Sequence, residues 1–119
     1  MPETDLTYGG FLTADLRRAN LSDACLFNAN LRDCDLGYAN VERANLEGAS
    51  MVNVNLLRAS LVGANLDKVV SPAANFEEAD LTGTQLRSSN LLSAVIYKTQ
   101  MRGADLSDIN LAGGSALSS

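Results

Sequence analysis

The sequence predicts an all-β solenoid, and three columns of residues predict it. A bulky apolar residue returns at every fifth position, from Leu6, Phe11, Leu16 and Leu21 through Leu66, and again from Phe76 through Leu111. Only Ser71 and Ala116 interrupt that register. Two residues before almost every such centre the side chain is small, as at Ala19, Ala24, Ala29, Cys34 and Ala39. Between the two stands a column rich in Asn and Asp, as at Asn20, Asn30, Asp35, Asn40, Asn45 and Asp80.

A period of five excludes ordinary secondary structure. On an α-helix five steps of about 100° scatter the apolar residues round the axis. On a flat strand an odd spacing throws successive centres onto opposite faces. The backbone must therefore turn once per repeat, each pentapeptide making a short side and a corner, with coils stacked about 4.8 Å apart. The centre and the small residue two before it then both face inward, an alternation of large and small that fills a narrow interior. The short polar side chain between them can bond nearby backbone at a turn, so this column is structural rather than a ligand array.

The phrase Ala-Asn/Asp-Leu followed by two variable residues, as in Ala19-Asn20-Leu21, Ala64-Asn65-Leu66 and Ala79-Asp80-Leu81, resembles the pentapeptide repeat family over essentially the whole chain. The resemblance implies a right-handed quadrilateral β-helix with four pentapeptides to a coil. Gly63, Gly83 and Gly103, recurring at a spacing of twenty, agree with four sides. About six coils would make a rod of roughly 25 to 30 Å, with residues 1–119 forming a single domain.

Taken in order, the first coil runs from Leu6 to about Asp23, with Phe11 large enough to fill the end of the column and Gly9-Gly10 suggesting an irregular entry. Ala24 to Gly63 holds the cleanest phrases. Val69-Val70-Ser71-Pro72-Ala73 breaks them with a small hydroxyl centre and a proline that withdraws an amide, and reads as a bulge or corner loop. Because the register resumes at Phe76, that ring or Val70 is expected to fill the volume Ser71 leaves. Beyond it the repeats drift, with Gln85, Val95 and Gln100 in the polar column and Thr84, Ser89 and Thr99 in the small one. The stretch from Ala112 to Ser119 reads as frayed. With no amphipathic capping helix, both end coils would present open backbone edges, a setting for a homodimer through the solenoid ends.

A net charge of −5 and a pI near 4.5 disfavour direct binding to nucleic acid, which needs a basic patch to displace counterions. Residues 2 to 10 lack a basic start and an apolar run, so no secretory signal is expected, and no apolar stretch approaches the roughly 20 residues that span a bilayer. No membrane association is expected. Cys34 falls at an inward position and Cys25 at an outward one on another part of the coil, so both read as reduced thiols in a cytoplasmic protein.

The sequence holds no histidine, no phosphate-cradling glycine motif, no metal-spaced cysteine set and no serine elbow. Its adjacent acidic pair Glu77-Glu78 follows an inward Phe76 and projects to solvent, whereas paired-carboxylate chemistry needs a cleft that drives two pKa values apart. No enzyme activity, catalytic residue, metal or cofactor is expected.

Function must then lie on the outside. Stacked at twenty residues per coil, the side through Phe11, Leu31, Met51, Ser71 and Leu91 carries only Arg32 and Asp33 as charges. It displays instead Leu12, Val52, Val70, Pro72 and Leu92, a candidate partner-binding strip that Leu57, Tyr38 and Tyr97 on the neighbouring side could extend. The reading is a non-catalytic solenoid scaffold or protein-interaction module with an unidentified protein partner. The resemblance supplies an alternative, a DNA-mimicking binder of DNA gyrase of the fluoroquinolone-resistance type. The acidity fits that alternative, but Arg17, Arg18, Arg58 and Lys98 interrupt the acidic columns. The family that the chain resembles is abundant in cyanobacteria.

Overall fold

The backbone returns to its own register every twenty residues. In the computed structural model, which describes residues 9–113, each bridge joins a residue to the one twenty further on, in parallel, from Gly10 with Asn30 to Asn90 with Asn110. Four pentapeptides therefore make one coil, and coils stack into a column measuring 34 × 25 × 24 Å. The first side runs through Phe11, Leu31, Met51, Ser71, Leu91 and Leu111, and the second through Leu16, Leu36, Leu56, Phe76 and Ile96. The third passes through Leu21, Val41, Leu61, Leu81 and Met101, and the fourth through Leu26, Leu46, Leu66, Leu86 and Leu106.

Most pentapeptides distribute their five N–H groups in one way. For the repeat centred on Leu31, the Asn30 N–H donates to the Gly9 carbonyl at 2.8 Å in the preceding coil. The Leu31 and Asp33 N–H groups donate to Ser50 and Val52 in the next, at 2.7 and 2.8 Å, and Cys34 donates back to Leu31 at 3.0 Å to close the turn. Only the N–H just after the centre has no backbone acceptor, and here the polar column acts. Asn30 Oδ1 accepts the Arg32 N–H at 3.1 Å, and Asp35, Asn40, Asn45, Asn65 and Asn90 do the same for their own corners. The column is thus structural, as its chemistry predicts.

The second corner residue has positive φ throughout, between 55° and 72°, which with the closing hydrogen bond defines a type II turn. Glycine suits that place, as at Gly63, Gly83 and Gly103, but Arg18, Tyr38, Arg58 and Lys98 adopt it too. The interior is a continuous column of centres and small residues, with Leu31, Met51, Leu56, Leu61, Leu66 and Phe76 fully enclosed. At the two ends Phe11, Leu16, Met101, Leu106 and Leu111 are only partly buried.

Several sequence expectations need correction. Gly9 and Gly10 enter regularly, Gly10 bridging Asn30. Val69 to Ala73 is neither a bulge nor a loop: Val70 bridges Ser50 and Asn90, and the Ser71 and Ala73 N–H groups make their usual bonds at 2.8 Å. Pro72 fits because it occupies the first corner position, where type II turns favour proline and the ladder uses no N–H. Val70 does not fill the space beside Ser71, since it faces solvent at 44% exposure. Phe76 is enclosed and Ser71 is buried, its hydroxyl donating to the Met51 carbonyl at 3.4 Å.

The drift after Phe76 leaves the ladder intact as well. The buried Thr84 and Thr99 hydroxyls donate to the turn carbonyls of Leu61 and Phe76, at 2.8 and 2.7 Å, and Ser89 donates to Leu86 at 2.6 Å. Of the stretch from Ala112 to Ser119 expected to fray, Ala112 keeps the regular pattern, its carbonyl accepting the Ser93 N–H at 2.8 Å, and the part from Gly114 onward lies outside the described residues.

Candidate interaction surfaces

The residues just after each centre stack at the corners, so the proposed strip is a ridge rather than a flat face. Val52, Pro72 and Leu92 stand one above another, their backbones linked through Asn53 N–H to Pro72 O at 3.1 Å and Ala73 N–H to Leu92 O at 2.8 Å. Leu92 is 41% exposed, while Val52 and Pro72 are half-buried. Val70 lies beside the ridge on the first side. Leu12 is the most exposed of the five, at 56%, but Arg32 separates it from Val52 in the same column. Arg32 lies 3.7 Å from Asp33, so the charges at that end offset one another.

Val70 and Pro72 belong together chemically. At most corners Asn or Asp accepts the N–H two residues on; here Pro72 has no N–H to offer and the Val70 side chain has no oxygen to receive one. The pair leaves an apolar patch with no polar side chain at either position.

Tyr38 does not extend this strip. It sits at the next corner, in the column Arg18, Tyr38, Arg58, Glu78, Lys98. The Arg18 guanidinium carbon lies 4.8 Å from the Tyr38 ring centroid, and that of Arg58, one coil to the other side, lies 5.8 Å away. Arg58 donates in turn to Glu78 at 3.2 Å, and Lys98 Nζ lies 5.2 Å from the Tyr97 ring. The Arg–Tyr–Arg spacing of twenty was present in the sequence, but only stacking of the coils turns it into contacts. On the flat of the second side Asn75 donates to Asn55 at 3.3 Å and Asn55 to Asp35 at 3.0 Å.

The other charges are largely paired from coil to coil. Arg43 reaches Asp23 through Nε and Nη2 at 2.9 and 3.1 Å. The nearly buried Asp67 accepts both the Arg87 guanidinium, at 2.6 Å, and the Arg87 N–H, at 2.9 Å. That second bond replaces the one Gln85 would have to make from the polar column. Arg17 holds the Asp15 carboxyl down to about 2 through its side-chain hydrogen bonds, with help from its own N–H. Arg43 lowers Asp23 in the same way, and the Ser107 hydroxyl and N–H lower Asp105. Burial pushes the Cys34 thiol up. Among the described residues no group of Cys, Asp and Glu side chains is placed to hold a metal ion, and no helix is long and apolar enough to cross a membrane. Surface clefts of about 350 and 340 Å³ lie beside Arg18 and Tyr38 on the second side and beside Asp67 and Arg87 on the fourth.

A four-sided parallel coil with an Asn/Asp ladder and type II corners defines a quadrilateral β-helix. The family profile for pentapeptide repeats matches in 8 copies, over residues 3–33, 29–67 and 73–111, and the chain belongs to that family, whose helix is right-handed. Among solved structures it is similar to the pentapeptide repeat protein Rfr23 from the cyanobacterium Cyanothece 51142, with 30% identity and a TM-score of 0.61 over 77% of this chain and 59% of that one. HetL from Nostoc sp. strain PCC 7120, a pentapeptide repeat protein involved in heterocyst differentiation regulation, is 26% identical over 92% of this chain and 60% of that one, with a TM-score of 0.42. QnrB1, a plasmid-mediated fluoroquinolone resistance protein, shares the fold at 19% identity and a TM-score of 0.52, over 88% of this chain and 62% of that one. No curated protein matches the sequence. The chain thus spans about six tenths of the length of these solved relatives.

Proposed function

We propose that this protein is a non-catalytic β-helical scaffold, working in the cytoplasm, that binds a protein partner through the ridge of Val52, Pro72 and Leu92 together with Val70. The observation that carries this reading is the coincidence, on the charge-poor side, of stacked apolar corners with the Val70–Pro72 pair. There the coil presents apolar surface and no side-chain charge. Such a patch can be desolvated cheaply, and charge depletion at the centre of a patch distinguishes interface cores from ordinary surface. A rigid column suits binding because little conformational entropy is lost when a partner docks.

The gyrase-binding alternative has less support. A DNA mimic needs columns of uncompensated acids, whereas Asp15, Asp23, Asp67 and Glu78 each lie against an arginine. The likeness to QnrB1 supports the fold and no more.

Affinity capture from a cyanobacterial lysate tests the ridge, comparing the chain with a Val52→Asp, Leu92→Asp double variant shown by circular dichroism to be equally folded. A partner held by the parent and lost by the variant is the expected result. Equal capture by both would make the ridge ordinary surface, and a change in gyrase supercoiling on adding excess protein would then favour the alternative.

A further inference from the structure

The three arginines of the second side are used differently. Arg17 donates Nε and Nη2 to the two oxygens of Asp15, both at 2.9 Å, and Arg58 donates Nε to Glu78 at 3.2 Å. Arg18 has no carboxylate within ion-pair distance among the described residues; its partner is the face of the Tyr38 ring. Among the described residues no carboxylate takes up the guanidinium edge, where all the N–H donors lie, so that edge stays available to an anionic partner while the guanidinium carbon sits over the ring.

The arrangement holds that edge in place. Tyr38 is gripped between Arg18 and Arg58, and Arg58 is itself fixed by Glu78. The Arg18 backbone is pinned by its N–H to the Gly37 carbonyl at 2.9 Å, in the left-handed corner conformation at φ 61°. Beside the stacked guanidinium opens the cleft of about 350 Å³ lined by Asp15, Arg17, Arg18 and Tyr38, a volume in the range of small-molecule sites. Asp15 does not compete for Arg18, because both its oxygens are taken by Arg17, and that pairing keeps it ionised down to about 2.

We propose that the edge of Arg18, presented by Tyr38, binds a carboxylate group, and that the cleft receives the part of the molecule that carries it. A guanidinium fork matches a carboxylate through two parallel bonds. The surroundings favour a single charge over a phosphate dianion, since Arg17 is already paired with Asp15 and Asp35 and Arg58 with Glu78, which leaves Arg18 as the one guanidinium of this side without a carboxylate among the described residues. The carboxylate comes either from a free small acid or from the C-terminus of a peptide. This site does not depend on the ridge.

The test follows the Arg18 Nε–H and Tyr38 ring signals by NMR during titration with sodium benzoate, with acetyl-trialanine bearing a free C-terminus, and with its amidated counterpart. Sodium chloride at matched ionic strength gives the background. A saturable shift of both residues with a carboxylate probe, and none with the amide or chloride, is expected. Benzoate acting alone would identify a free acid as the source, and the free-terminus peptide acting alone a chain end. Arg18→Ala should abolish the shift of Tyr38, and Arg18→Lys should weaken binding at least tenfold by losing the fork. Tyr38→Leu should weaken it while keeping the Arg18 charge. Both side chains lie outside the core, so circular dichroism should match the parent. Shifts that track ionic strength alone, or a saturable Tyr38 shift that survives Arg18→Ala, would overturn the site.

Discussion

At the scale of single residues the decisive group is the N–H that follows each centre. It is the one backbone donor the coil does not use, so the sequence commonly supplies an acceptor two residues earlier, and at one corner it removes the donor. Asn65 takes the first course for Asp67, with 2.9 Å between them, and Pro72 takes the second. Pro72→Ala should therefore cost about 1 kcal/mol, part from freeing the unfolded chain and part from exposing a donor with no intramolecular partner. Val70→Asn should gain nothing in the parent, where Pro72 has no N–H, but should recover about 1 kcal/mol in the Pro72→Ala background. Urea denaturation of the four proteins measures the coupling. Simple additivity would show that the polar column does not cap this donor.

At the scale of the pentapeptide, the period of five revealed the element because only a side-plus-corner unit can bring every fifth side chain to one axis. The small column followed for the same geometric reason. The break at Ser71–Pro72 was misread because the sequence shows that proline lacks an N–H but does not show which N–H groups the ladder needs. What remains unusual there is a matter of volume: Ser71 is the one small centre among the described repeats, and the next centre, Phe76, is among the largest buried side chains. If the ring uses the space that a leucine at 71 would take, Ser71→Leu should overpack the core and destabilise by about 1 to 3 kcal/mol. Ser71→Leu combined with Phe76→Leu should recover most of that loss. Phe76→Leu alone should cost about as much as other large-to-small core changes of similar volume, roughly 1 to 2 kcal/mol. A double variant no more stable than Ser71→Leu alone would mean that the two positions do not share volume.

At the scale of the whole molecule, stacking at twenty residues made the charge-poor side legible from sequence by arithmetic alone. The Arg18–Tyr38–Arg58 contacts were not, because they depend on which way long side chains lie once the coils are stacked. The Asp23–Arg43 pair between coils shares that dependence, and together with the Asp15–Arg17 and Asp105–Ser107 contacts within single corners it sets how the column responds to acid. Asp15, Asp23 and Asp105 all have carboxyls held below their ordinary value of 3.8, Asp15 at about 2, by Arg17, Arg43 and Ser107 respectively. A group whose pKa is lower folded than unfolded contributes stability that is fully present above the unfolded pKa and is lost as pH falls through the folded one. With no histidine in the chain, no side chain of ordinary pKa titrates between about pH 5 and 8. The urea midpoint should accordingly be level from pH 8 to about 5 and fall steadily between about pH 4 and 2. All three carboxylates are exposed, so 1 M salt should flatten the part of the decline owed to the Asp15–Arg17 and Asp23–Arg43 pairs. It should spare the part owed to Ser107, whose hydrogen bonds to Asp105 come from a neutral hydroxyl and an amide. The triple variant Asp15→Asn, Asp23→Asn, Asp105→Asn should show a shallower decline than the parent. A midpoint that rises as pH drops from 4 to 2, or a triple variant as steep as the parent, would show that these contacts do not couple protons to folding.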